Sequence, residues 1–219
     1  MTVPGTFDTS ARELIHAGLQ NLDEARSLFR QLSASGFDAA RCGLLLDALQ
    51  HVCDPDVALR NLVDIVNAQV SQGRALDDIM PDDTAFRQLV AVLGVSDAMG
   101  KLMRFRPDLV QAAATDHCNS HLYNHDQRRA HVLESVGADP NDRMSPTATM
   151  DLADAATALR RTYRNQLAAI IAQDTMSDDP IALQPRISSE LSDLADAALE
   201  GALAIACLLY TSPSPRDTR

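Results

Sequence analysis

Apolar positions recur along this chain in steps of three and four residues, the period of an α-helix with one buried face. Ser10 can cap a helix carrying Ile15, Leu19, Leu22, Phe29 and Leu32, with Gly36 as its stop. Asp38 opens a second apolar helix to about Val52. Asp54-Pro55 is a start signal, an N-cap acid followed by Pro at the first helical position. The helix after it places Leu59, Leu62, Val63, Val66 and Val70 on one face and closes at Gly73. Pro81-Asp82-Asp83 opens another, with Phe86, Leu89, Val90 and Leu93 inward and Gly94 as its stop. Ser96 caps a short helix through Met103. Arg106-Pro107 forces a break, because the residue before Pro avoids the α region, and Asp108 to Ala114 is again helical.

Thr115 to Asp126 is polar and aperiodic, a loop or weak helix, and Gln127 to Val136 is helical. Residues 137–150 are rich in Gly, Pro, Asn and Asp and have the composition of a linker. Two long helices follow. Asp151 to Gln173 carries Leu152, Ala156, Leu159, Tyr163, Leu167 and Ile170. About Pro185 to Ala206 carries Ile187, Leu191, Leu194, Ala198, Ala202 and Ile205. The turn at Ser177 to Pro180 lets them pack as an antiparallel pair. No stretch alternates in the manner of a strand. The expectation is an all-α protein: a helical array over 1–136, a linker over 137–150, and a long antiparallel helix pair over 151–206.

Composition agrees with helices. The 219 residues suffice for one large or two small domains, and aromatics make up only 4 % with no Trp. The core must come from Leu, Ala, Val and Ile, which suits tightly packed helices. A net charge of -11 argues against nucleic acid as a main partner. No apolar stretch approaches the ~20 residues of a membrane span, and Met1 to Ser10 lacks the pattern of a signal peptide. A cytoplasmic chain is therefore expected. Cys42, Cys53, Cys118 and Cys207 form no C-x-x-C pair.

At Cys207 the composition changes abruptly to a Ser/Pro-rich tail. Residues 207–219 look like one frame of a sequencing-library adaptor read through as protein, and are set aside from the fold. On that expectation the natural chain continues past Ala206.

Several clusters invite chemistry. Gly94, Gly100 and Lys101 resemble a phosphate-binding loop. However, five residues separate the glycines, Leu102 replaces the magnesium-binding hydroxyl, and no strand precedes them. A helix stop followed by a new cap is the plainer account. His117, His121 and His125 would share a face on a helix, Cys118 could add a thiolate, and together they could ligate a metal, yet hydrophilic loops collect such residues without one. His125-Asp126 could be the central pair of a metal-dependent helical phosphohydrolase, with His51 and Asp174 recruited from elsewhere. Arg160, Arg161 and Arg164 form a basic patch that could meet an acidic partner or a phosphate, or simply be solvated. Asp193 and Asp196 lie three apart on the last helix, as a metal pair or as a solvated face.

Three stretches taken together resemble one family. The first is Arg87 to Ser96 (Arg-Gln-Leu-Val-Ala-Val-Leu-Gly-Val-Ser), then Met99, Leu102, Arg104 and Arg106 to Val110. The second is Leu133 to Pro140 (Leu-Glu-Ser-Val-Gly-Ala-Asp-Pro). The third is Leu159, Arg160, Arg161, Tyr163, Arg164 and Leu167, then Asp174, then Glu190 to Glu200. Their order and spacing are similar to the N-terminal part of the bifunctional glutamine synthetase adenylyltransferase/adenylyl-removing enzymes of actinobacterial type.

The resemblance implies a parent enzyme with two nucleotidyltransferase domains on helical scaffolds. One would attach AMP from ATP to a tyrosine of glutamine synthetase. The other, N-terminal, would remove it by phosphorolysis, giving ADP. It further implies magnesium and ATP/ADP as cofactors of the parent, and glutamine synthetase and a PII-type signal protein as partners. The family's catalytic mark is a Gly-Gly turn followed by Ser-Asp-x-Asp, whose carboxylates hold magnesium. Neither occurs here. Ser96-Asp97-Ala98-Met99 and Ser192-Asp193-Leu194-Ala195 lack the second carboxylate. The resemblance therefore assigns no catalytic, cofactor-binding or metal residue, and the chain itself is expected to be inactive. Two alternatives stand beside it. One is a stand-alone helical interaction module using Arg160, Arg161 and Arg164. The other is the metal-dependent phosphohydrolase.

Overall fold

The computed structural model describes residues 9–78, 80, 82–114, 124–177 and 179–211. These form α1 (Ala11–His16), α2 (Leu22–Ala34), α3 (Ala39–Leu49), α4 (Pro55–Ser71), a 3-10 turn (Leu76–Asp78), α5 (Asp83–Val95), α6 (Asp97–Met103), α7 (Pro107–Ala114), α8 (His125–Ser135), α9 (Leu152–Thr175) and α10 (Pro180–Thr211). No strand occurs among the described residues, so the fold class is all-α. The chain divides into two units, Met1–Cys118 with Ile171–Asp178, and Asn119–Ile170 with Asp179–Arg219.

In the first unit α4 and α5 are the central pair. Leu59, Leu62, Val66, Phe86, Leu89 and Leu93 are all buried between them and their neighbours. Val70, expected on the inner face of α4, is exposed, because it lies in the last turn. The starts of α1 to α6 each have a side-chain cap on an otherwise orphaned N–H. Ser10 and Glu13 form a reciprocal capping box, and Asp38, Asp54 and Asp82 accept from Arg41, Val57 and Ala85 respectively.

The helix expected from Ser10 to Gly36 is two helices. Gly18 takes φ 82, a left-handed conformation open to glycine, and Asn21 then caps α2. The Asp56 carboxylate accepts the N–H groups of Gln20 at 3.0 Å and Asn21 at 3.3 Å, tying this break to the start of α4. Gly94 does not stop α5. The helix runs to Val95, and Ser96 both ends it and caps α6.

The second unit is built from α8, most of α9 and α10. The sequence grouped α8 with residues 1–136, whereas in the structure α8 packs along α10. Leu159 of α9 meets Gly201 late on α10, and Ile170 clusters with Ile187 early on α10, so the two long helices are antiparallel. The expected second helix, Pro185 to Ala206, begins at Pro180 and continues through Thr211. Pro185 sits inside it, near its start, where its missing N–H removes only one ladder bond. Asp179 supplies the cap, accepting from Ala182 at 3.0 Å. Helix thus extends into the tail set apart on composition, and residues 212–219 lie outside the described ones.

The buried stripe of α10 is also rotated from the expected one. Ile187, Glu190, Leu194, Ala197, Gly201 and Ala204 point inward, in alternating steps of three and four, while Leu191 and Ala202 are exposed. On α9 the expected stripe members Leu152 and Tyr163 are exposed, and Ala155, Thr162 and Gln166 are buried instead. Residues 137–150 are packed rather than loose. Ala138 and Ala148 are buried with Leu133, Val136, Ala155, Ala204 and Ile205. The Ala148 N–H donates to the Ala204 carbonyl at 3.0 Å.

Candidate functional site

The chemistry of the second unit gathers around α8. Arg128, 1 % exposed, projects from it between α9 and α10. Its guanidinium donates to Gln166 Oε1 at 2.7 Å and lies 3.4 Å from Glu190 Oε2. The other Glu190 oxygen accepts from Arg186 Nε at 3.1 Å, and the Gln166 amide nitrogen lies 3.1 Å from His131 Nδ1. A buried charge needs such partners, because an unpaired one would be costly to desolvate. The set joins one residue or more from each of the three helices.

The next residue, Arg129, donates to Glu200 Oε2 at 2.5 Å, to the Pro140 carbonyl at 2.7 Å and to the Asp142 carbonyl at 3.2 Å. It holds the 137–150 segment against α10. A cleft of about 420 Å³ opens beside it, lined by His125, Asp126, Arg143, Met144, Glu200 and Leu203 among others. Asp142, next to Arg143 in sequence, accepts the N–H groups of Ser145 and Met144, which hold its carboxyl below the usual range.

The residues singled out in the sequence meet different fates. His125 Nδ1 lies 3.1 Å from Asp193 Oδ1 of α10, and Asp126 lies 3.8 Å from Arg143. His51 and Asp174 belong to the first unit, so each half of the phosphohydrolase set lies in a different unit. His117, Cys118 and His121 lie outside the described residues. Among the described residues no group of three or more His, Cys, Asp or Glu side chains is placed to hold a metal. Arg160 and Arg161 are exposed and Arg164 half-buried on α9. Asp196 is exposed on α10.

Gly94, Gly100 and Lys101 lie on two helices and form no loop. A Cβ on Gly94 would sit 3.0 Å from Val52 Cβ, and one on Gly100 would sit 2.3 Å from Asn61 Cγ. Asn61 in turn donates to the Leu93 carbonyl at 3.2 Å. These glycines let helices approach closely, and Lys101 pairs with Asp97 on the surface.

Sequence reasoning missed Arg128, Gln166 and Glu190. A signal was present: Arg128 stands four residues before Val132 on the buried side of α8, and Glu190 stands in the inward series of α10. Charged residues in an apolar series mark a buried pair when two helices each supply one.

The chain is similar to curated proteins described as bifunctional glutamine synthetase adenylyltransferase/adenylyl-removing enzymes, among them the following three. That of Bifidobacterium longum (strain DJO10A) is 64 % identical over 200 residues, which is 91 % of this chain and 19 % of the relative. That of Corynebacterium efficiens is 34 % identical over 216 residues, 80 % of this chain and 20 % of the relative. That of Streptomyces avermitilis is 30 % identical over 211 residues, 94 % of this chain and 19 % of the relative. The chain belongs to this family. It spans about a fifth of the length of the curated relatives it matches. No protein-family profile matches it, and no solved structure does.

Within this adenylyltransferase family member, the stretches that carried the resemblance are structural. Leu133, Val136 and Ala138 are buried, and Gly137 takes φ 76 between them. A Cβ there would lie 2.6 Å from Thr149 Oγ1, which donates to the Gly137 carbonyl at 2.7 Å. The Leu-x-x-Val-Gly-Ala-Asp-Pro turn is thus a helix C-terminus with a glycine only because the turn demands one. Arg106 and Asp108 form a two-bond ion pair, at 2.9 and 2.7 Å, around the Pro107 start of α7. This raises the already high Arg106 pKa.

Proposed function

We propose that this chain is the helical scaffold at the start of the adenylyl-removing half of a bifunctional enzyme that adenylylates glutamine synthetase from ATP and removes the AMP by phosphorolysis. The observation that carries the reading is the 64 % identity to the Bifidobacterium longum protein of that description. The lack of Gly-Gly and Ser-Asp-x-Asp in the sequence supports a scaffold without turnover of its own. The whole enzyme would work in the cytoplasm, with glutamine synthetase as its substrate and a PII-type protein as regulator.

Magnesium and ATP/ADP belong, on this reading, to the parent's nucleotidyltransferase domains. The carboxylates here do not suit them. Asp193 is engaged by His125, and among the described residues no group of three or more His, Cys, Asp or Glu side chains is placed to hold a metal. No catalytic step is therefore assigned to this chain.

The test is to substitute this chain for its matching 200 residues in the Bifidobacterium longum enzyme. The hybrid is expected to release ADP from adenylylated glutamine synthetase and phosphate, and to keep adenylyl transfer. A Arg128→Met hybrid should lose removal more than transfer. Loss of transfer alone would overturn assignment to the removing half.

A further inference from the structure

We infer that α10 carries a second packing face, formed by Leu191, Ala195, Leu199, Ala202 and Leu203, which is covered by polypeptide of the same enzyme lying outside this chain. The inference rests on the reading above that the chain is part of a longer enzyme. The five residues are exposed, with Leu191 at 42 %, Leu199 at 69 % and Leu203 at 59 %. At 3.6 residues per turn they lie on the side of α10 opposite its buried stripe of Ile187, Leu194, Ala197, Gly201 and Ala204.

Apart from Glu190 in the buried stripe, the acidic residues of α10 fall on one flank. Asp193, Asp196 and Glu200 fall together between the two apolar faces, and residues 201–206 carry no charged side chain. A surface helix has polar residues opposite its buried stripe, whereas a helix apolar on both sides belongs in an interior. The second face also leads into a receptacle. Leu203 lines the cleft of about 420 Å³ together with Met144, itself 94 % exposed, so an arriving side chain has space to insert.

The occupant follows from length and charge. The chain spans 19 % of its relatives, so most of such a protein is available to cover this face from the same polypeptide. Tethering makes that contact intramolecular and favours it over encounter with a second molecule. Pairing of two copies is disfavoured. In an antiparallel two-fold contact between α10 helices, the acidic flanks would fall along the same edge, like charge beside like, and the net charge of -11 adds general repulsion.

The experiment compares thiol labelling in this chain alone and in the Bifidobacterium longum hybrid. Leu199→Cys reports on the face and Ser189→Cys on the neighbouring polar flank, each read by peptide mass. In the hybrid, Leu199→Cys should label at least about tenfold more slowly than in the isolated chain, with Ser189→Cys unchanged, as expected for a site reached only by local opening. Equal labelling of Leu199→Cys in both would overturn the proposal, as would a chain that sediments as a dimer and protects Leu199→Cys by itself. The hybrid's enzymatic activities separate the two readings. An active hybrid with an unprotected Leu199→Cys sinks the face alone. An inactive hybrid that still protects it counts against the functional reading and sustains the face. Independently of any hybrid, Leu199→Asp with Leu203→Asp should reduce binding of a hydrophobic dye by the isolated chain and leave its helicity unchanged. Loss of helicity would mean that the face is packed within this chain, and would overturn the proposal.

Discussion

Arg128 of α8 and Glu190 of α10 form a buried ion pair at 3.4 Å, with side chains 1 % and 9 % exposed. Removing one partner strands the other charge away from water. Arg128→Met is expected to destabilise the second unit by about 3–5 kcal/mol. The double substitution Arg128→Met with Glu190→Leu should recover most of that loss, since no lone charge remains. Urea unfolding of the single and double variants measures both. A single variant as stable as the parent would show that the pair is not desolvated.

Gly201 sets how closely the helices of the second unit approach. A Cβ there would lie 2.8 Å from Val132 Cγ1 and 2.9 Å from Leu159 Cδ1. Gly201→Ala should therefore cost about 1–3 kcal/mol through overpacking, despite alanine's better helix propensity. Adding Val132→Ala should return part of it. Additivity of the two substitutions in thermal unfolding would contradict the contact.

Two glycines in the first unit predict opposite signs. Gly100→Ala drives a methyl into the Asn61 amide and breaks its buried bond to Leu93, for a loss of about 1–3 kcal/mol. At Gly43, inside α3, an added Cβ meets nothing within 4 Å. Gly43→Ala should stabilise by about 0.4–1 kcal/mol by restricting the unfolded chain. Denaturation midpoints of the two variants, side by side, decide the matter.

The Asp142 carboxylate titrates below its ordinary 3.8 because it accepts the Ser145 and Met144 N–H groups. Its folded pKa is lower than its unfolded one. The stabilisation is thus present above the ordinary value and disappears as pH falls through the depressed one. The amide signals of Met144 and Ser145 should shift together with a midpoint below 3.8. Asp142→Asn should abolish that titration while leaving the amide of Asn141, which Asp139 accepts at 2.9 Å, unaffected.

The all-α class and most helix starts were legible because they rest on local chemistry. Asp54-Pro55, Asp82 and Ser96 each cap the helix that their sequence promises. Three features escaped, each for a tertiary reason. Gly94 looks like a stop, yet it is a close approach to Val52, which no local pattern reveals. Pro185 looks like a start, yet the cap is Asp179 and the proline lies early enough for the helix to tolerate it. The α10 stripe was misplaced because the helix has apolar residues on two sides, so periodicity alone gave no reason to prefer Gly201 and Ala204 over Leu191 and Ala202. In the candidate site, single residues such as His125 and Asp126 were visible. Their pairing with Asp193 and Arg143 was not, being set by how α8, α10 and the 137–150 segment meet.

That segment has a consequence for how such proteins can change over evolutionary time. By composition it is the place where insertions should accumulate and proteases should cut. Yet its backbone is clasped at both ends, by two Arg129 bonds to the Pro140 and Asp142 carbonyls and by the Ala148 bond to Ala204. Adding or deleting a residue between them would shift one clasp out of register. Lineages should therefore vary its exposed side chains, such as Met144, rather than its size.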